Sequence, residues 1–239
     1  MDRLRANCLL ATESGVWIGI SEAHLTRLVN GALEWVESFD RIEGREDWFT
    51  PWGGPPDTRS LSVGPTGVLF ANIHVGGVAR STDQGRTWHP TMDIEVDCHQ
   101  VLAHPEDASV VLAGTGVGLG ISTDGGTTWT FEDTGLHATY QRAVAVSGDR
   151  VLISTSRSER GQQSAVYRFA LGRRARFEKC QQGLPKWFVD NIDTGCLVAR
   201  GPFAALGTPD GSVYTSSDLG ETWVLQREGL PRVRCLALY

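Results

Sequence analysis

The sequence predicts an all-β chain folded as a single β-propeller over residues 1–239, and three observations carry that prediction. One hairpin motif recurs three times, the recurrences are spaced at blade length, and the segments between them alternate in the manner of short strands. Internal repeats of about 40–50 residues mark propellers, whose blades are four-stranded sheets.

The recurring segments are Ser81-Thr82-Asp83-Gln84-Gly85-Arg86-Thr87-Trp88, Ser122-Thr123-Asp124-Gly125-Gly126-Thr127-Thr128-Trp129 and Ser216-Ser217-Asp218-Leu219-Gly220-Glu221-Thr222-Trp223. They share the pattern S-x-D-x-G-x-T-W. Asp accepts hydrogen bonds from backbone N–H groups just downstream, Gly supplies a positive φ, and Thr can close the turn. The Trp then packs a large apolar ring between sheets. The motif resembles the Asp-box (BNR) repeats of sialidases, sortilin-type domains and photosynthetic assembly factors. That resemblance implies a propeller and no particular activity, and it makes the box aspartates turn-formers rather than catalytic acids.

Spacing sets the blade length. Trp88 and Trp129 are 41 residues apart, and Trp129 and Trp223 are 94 apart, or two repeats of 47. A degenerate blade therefore lies between the second and third boxes, with Phe177 in the tryptophan position. Each repeat reads as strands A to D, the box being the C–D turn. In the repeat after Trp88, strand A falls at Val101, B at Val110, C at Gly118 and D at Thr128. Leu9–Ser21 aligns with Val111–Thr123, so the chain is expected to begin on a strand B. Arg234–Tyr239 is expected to serve as a strand A that completes the first blade and closes the ring, which removes exposed sheet edges. Strand A candidates near Leu61, Val101, Ala143, Cys196 and Cys235 give five blades. Six, with one hidden in residues 22–58, is the alternative.

Charge and cysteine content narrow the function classes. With 22 basic and 28 acidic residues the formal net charge is −6, which argues against a nucleic-acid surface. The one dense basic run, Arg173, Arg174 and Arg176, reads as a solvated turn. No apolar run is long enough to span a bilayer, so no membrane role is expected. The N-terminal apolar stretch is too short for a secretory core. Five cysteines without a C-x-x-C pair suggest reduced thiols and a cytoplasmic setting.

The D–A and B–C connections share the end opposite the boxes, and candidate functional residues collect there. The connection over residues 37–59 is long and carries Trp48, Trp52, Asp57 and Arg59. Trp48, Trp52 and Trp187 could offer apolar platforms to a ligand. His74, His99 and His137, with Asp97 nearby, could hold zinc, iron or copper. Arg59, Arg142 and Arg234 could clamp a carboxylate or phosphate, although pairing with Asp57, Asp97 or Asp193 is the plainer reading. Sialidases use an arginine trio with a tyrosine nucleophile. Tyr140 could take that part with Asp97 or Asp57 as the acid, but the F-R-I-P segment typical of sialidases is absent. Cys98, beside His99, is the one thiol placed to act as nucleophile or ligand. These residues leave three expectations: a module binding a protein or peptide, an enzyme acting on a small anionic molecule with a histidine-held metal, or a metal-free carbohydrate-active enzyme.

Overall fold

The computed structural model describes residues 4–172 and 176–238. Arg173 and Arg174 of the basic run, and Tyr239, lie outside them. The described chain forms five four-stranded antiparallel sheets, each made of strands consecutive in sequence. The first holds β1 (Ala6–Thr12), β2 (Gly15–Ile20), β3 (His24–Val29) and β4 (Ala32–Trp35). The second holds β5 (Thr58–Val63), β6 (Leu69–Ile73), β7 (Gly77–Ser81) and β8 (His89–Pro90), the third β9 (Cys98–Ala103), β10 (Val111–Thr115), β11 (Gly118–Ser122) and β12 (Thr130–Glu132). The fourth is β13 (Tyr140–Ser147), β14 (Arg150–Ser156), β15 (Ala165–Ala170) and β16 (Glu178–Lys179), the fifth β17 (Leu197–Arg200), β18 (Phe203–Gly207), β19 (Val213–Ser216) and β20 (Val224–Arg227). One helical turn, α1 (Glu37–Asp40), follows the first sheet.

Two compact units share these sheets. One comprises the described residues up to Ala113 together with Gly120–Thr130, the other Gly114–Leu119 and the described residues from Phe131 onward. The first unit has its core around Trp17, Leu25, Phe39, Ile73 and Trp88, with a second cluster around Phe70, Cys98 and Val101. The second unit is built around Leu152, Val166, Ile192, Leu206 and Trp223.

The boxes are the third-to-fourth strand turns, as the sequence predicts. Asp83 Oδ1 accepts from the Ser81 hydroxyl (2.8 Å) and the Thr87 N–H (2.9 Å), and Oδ2 accepts from the Thr87 hydroxyl (2.7 Å). Asp124 and Asp218 repeat the arrangement. The tryptophans follow directly, each just ahead of its fourth strand. Trp88 and Trp223 are buried and Trp129 is half-buried against the Phe70 cluster. In the boxless fourth sheet, Phe177 occupies that position, buried and stacked on Phe169 at 4.5 Å.

The box glycines set the spacing between neighbouring sheets. Gly85 (φ +79°) lies so close to Trp17 of β2 that a Cβ would stand 2.4 Å from its ring. Gly126 makes the same approach to Phe70 of β6, and Gly220 to Leu152 of β14. Each glycine thus serves a backbone need and a packing need together.

The chain termini differ from expectation. Residues 6–35 supply all four strands of the first sheet, and β1 lies against β5 as β5 lies against β9. Ala6–Thr12 is therefore the first strand of its sheet rather than a second one. Residues 231–238 form no strand; Leu236 N–H donates instead to Gly195 O at 2.9 Å. The alignment of Leu9–Ser21 with Val111–Thr123 was misleading because any two consecutive hairpin strands joined by a Gly turn read alike. Residues 24–35 finish the first sheet, and residues 36–57 form no strand, so no further sheet lies there.

Two outcomes follow for stability. Gly44 has φ +76° and open space beyond it, so Gly44→Ala should cost about 1 kcal/mol. Gly85→Ala adds the collision with Trp17 and should cost about 1–3 kcal/mol more in denaturant unfolding; equal losses would refute the packing role. The box carboxyls carry a pH signature. The Thr87 hydroxyl, with the other box donors, lowers Asp83 to about 2, and the Thr222 hydroxyl does the same for Asp218. A depressed carboxyl contributes stability above its unfolded pKa, near 3.9, and loses it as pH falls through about 2. Asp218→Asn should therefore flatten the dependence of stability on pH between about 4 and 2, measured by unfolding at each pH.

Candidate functional site

His74, Asp97 and His99 come together in the first unit. His74 follows β6 in the turn to β7, Asp97 immediately precedes β9, and His99 is its second residue. Residues two apart on a strand share a face, so Asp97 and His99 point the same way. In an antiparallel sheet, successive turns lie at alternate ends. The His74 turn is thus at the opposite end of the second sheet from its Asp-box. His74 Nε2 stands 3.1 Å and His99 Nε2 3.2 Å from Asp97 Oδ1. The His99 side chain is fully buried, that of His74 13% exposed and that of Asp97 38% exposed. Burial alone would raise the Asp97 pKa, but the two imidazoles outweigh it and hold the carboxyl below the usual range.

Neighbouring groups fix this arrangement. His74 N–H donates to Asp57 O at 3.0 Å. Asn72, fully buried on β6, donates through Nδ2 to Cys98 O at 2.9 Å, between the two β9-side residues of the cluster. The Trp52 ring leans on His74 at 5.1 Å and is 70% exposed.

The other expected site residues have other partners. His137 lies in the second unit, where its Nε2 meets Gln163 O and its Nδ1 meets the Tyr167 hydroxyl, both at 2.9 Å. A carbonyl on Nε2 requires the proton there, so Nδ1 accepts from Tyr167 and both nitrogens are engaged. Burial lowers the His137 pKa against the opposing Gln163 hydrogen bond, and Lys179 and Arg157 add to the lowering. His137 thus has no nitrogen to offer a metal, a correction to the expected histidine trio. Trp187 packs on His137 at 4.6 Å, with Lys179 Nζ 3.3 Å from the Trp187 ring centre.

Arg142 donates to Asp193 Oδ1 at 2.8 Å and Arg232 to Oδ2 at 2.9 Å, so one carboxylate serves two guanidiniums. Tyr140 lies under Arg142, its hydroxyl 3.4 Å from Nη2. Arg59 is half-buried on β5 in the first unit, and Arg234 is exposed in the C-terminal segment. Asp57 pairs with Arg5 at 3.4 Å. Trp48 is a core residue, 7% exposed between Phe39 and the Arg45 guanidinium, and presents no platform. Cys98 is fully buried and its thiol is pushed up to about 12 by that burial, so it is no nucleophile. All five cysteines are free thiols, and Cys235, expected on an inner strand, is exposed.

Sequence reasoning had the histidines of the first unit but ranked Asp97 as an acid beside them. The D-x-H spacing at the mouth of a strand was the available signal. Tyr167, Gln163 and Asn72 had none, because their partners are distant in sequence.

The fold and these residues define a β-propeller-type protein carrying Asp-box repeats. The BNR/Asp-box repeat model matches residues 79–90. No curated protein matches the chain by sequence. Among solved structures, the chain is similar to the GH74 xyloglucanase from Xanthomonas campestris (TM-score 0.61, 16% identity), covering 92% of this chain and 38% of that one. It is similar to PorZ, a bacterial surface component of the type-IX secretion system of Porphyromonas gingivalis (TM-score 0.63, 14% identity, 96% and 29% covered). It is also similar to YCF48 bound to D1 peptide (TM-score 0.51, 14% identity, 94% and 85% covered). The chain thus spans well under half the length of the xyloglucanase. At these identities the likeness is one of fold.

The shared Asp193 carboxylate makes a prediction. Asp193→Ala strands the largely buried Arg142 and should destabilise by about 1–3 kcal/mol, whereas Arg234→Ala should fall within about 0.5 kcal/mol of the parent. Chemical denaturation of both variants checks this.

Proposed function

We propose that the five sheets are the blades of one propeller, and that the chain is a binding module for a peptide segment of a partner protein. The observation that carries this reading is Trp52, an indole 70% exposed yet braced against His74. Exposed, pre-positioned aromatics are what peptide-binding surfaces use as anchors. The connections before β5 and β9 present Glu43, Glu46, Asp47, Asp93 and Glu95, all exposed, which favours a basic peptide. YCF48, of similar fold, was solved with a peptide bound. A small anionic ligand is the weaker reading, since Asp193 and Asp190 together already pair with Arg142 and Arg232.

Selection of a random peptide library on the immobilised protein tests the proposal. Enrichment of basic sequences is expected, with binding at least tenfold weaker to Trp52→Ala at unchanged Tm and weakened by added salt. Absence of enrichment, or equal binding to the variant, would sink it.

A further inference from the structure

We propose that His74, Asp97 and His99 form a binding site for a divalent transition-metal ion, zinc or iron(II). This inference is independent of peptide binding, since it concerns only the donor set of the first unit.

The donor atoms of the three residues all lie within 4.8 Å of one another. Donors bound at about 2.1 Å to one ion stand about 3.0 Å apart at right angles and about 3.4 Å apart at tetrahedral angles. The two observed nitrogen–oxygen separations, 3.1 and 3.2 Å, fall in that interval. Asp97 Oδ1 is buried, and the imidazole nitrogens of His74 and His99 both face it at 3.1 and 3.2 Å. One carboxylate oxygen and two imidazole nitrogens thus gather in one small region. A divalent ion there would take the place of the imidazole protons that face Asp97 Oδ1.

The chemistry of the set is selective. Two imidazoles and one carboxylate suit zinc or iron(II), and hard-cation sites use oxygen ligands instead. The nearest thiol, Cys98, lies between Asp97 and His99 on the strand, so alternation turns it to the other face, and its Sγ is 3.8 Å from Gln100 O. Three protein donors leave the remaining positions of the ion to water or a ligand, and the partial exposure of Asp97 gives access. The surroundings also hold the donors in place. The Asn72–Cys98 and His74–Asp57 hydrogen bonds fix the backbone on both sides of the cluster, and Trp52 covers one imidazole.

The test is titration of the chelator-stripped full chain with zinc and, separately, with cobalt(II) as a spectroscopic substitute. One equivalent is expected to bind, with a cobalt spectrum lacking thiolate-to-metal absorption. At about a hundredfold excess over Kd, zinc should raise Tm by about 5–10 °C. Asp97→Asn and His74→Ala involve partly exposed side chains and should fold; each should weaken binding at least tenfold and lose the Tm shift. His99→Ala should do the same, but its burial makes loss of fold an alternative cause, so the first two variants decide. The proposal is overturned if the parent binds neither ion stoichiometrically. It is equally overturned if Asp97→Asn and His74→Ala bind as the parent does, or if the cobalt spectrum shows sulfur ligation.

Discussion

The architecture depends on how closely one sheet can approach the next, and that distance is set at the box glycines. Gly85, Gly126 and Gly220 each face the second strand of the preceding sheet, against Trp17, Phe70 and Leu152. A side chain there would push the outer part of one sheet away from its neighbour and open the tryptophan layer to water. The aspartate of the box shapes the turn, but its bonds are local and on the surface. The glycine links the turn to the packing, which is why Asp, Gly and Trp occur together rather than separately.

Toward the inner strands, polar pins take over from apolar contact. Ser60 and Ser62 on β5 accept through their hydroxyls from the N–H groups of Val101 and Ala103 on β9. Ser154 accepts from Ala143 N–H and donates to Ile192 O in the second unit. All three serines are buried. Hydrophobic contact tolerates sliding, whereas paired hydroxyl bonds at alternate residues specify one register. Asp97 and His99 sit at the mouth of the same β9 that Ser60 and Ser62 pin. Their alignment with His74 on the neighbouring sheet is therefore a consequence of inner-strand register.

The sequence made the repeat legible because its signals are local. Box, tryptophan and strand alternation lie within about a dozen residues of one another, so the last four sheets and the place of Phe177 are legible there, whereas the fifth strand A, expected near Cys235, is supplied instead by Ala6–Thr12. What required the structure was contact between distant residues. Leu9–Ser21 spans the first and second strands of its sheet rather than the expected second and third, since a hairpin carries no mark of its depth in a sheet. Trp48 and Trp52 are four residues apart and alike in type, yet one is core and the other surface. His137 is expected at the same end as His74 and His99, but Tyr167 and Gln163, some 26–30 residues away, hold both its nitrogens.

The long connection after α1 shows how an exposed aromatic is kept ready. Its early part is anchored by Phe39, Ile42 and Trp48, all buried in the core of the first unit. Arg45 ties it back through Nη1 to Ala23 O at 2.6 Å. Thr50 then closes the tip, its hydroxyl reaching Gly53 O and Gly54 O at 2.9 and 3.2 Å. Trp52 therefore projects from a turn whose two sides are already fixed. Ordering a free loop would oppose binding by the entropy of each residue immobilised. Here that ordering is met during folding, out of apolar burial the first unit makes in any case. An insertion that looks dispensable to the sheets is thus continuous with their core, and its one exposed indole is displayed at little further entropic cost.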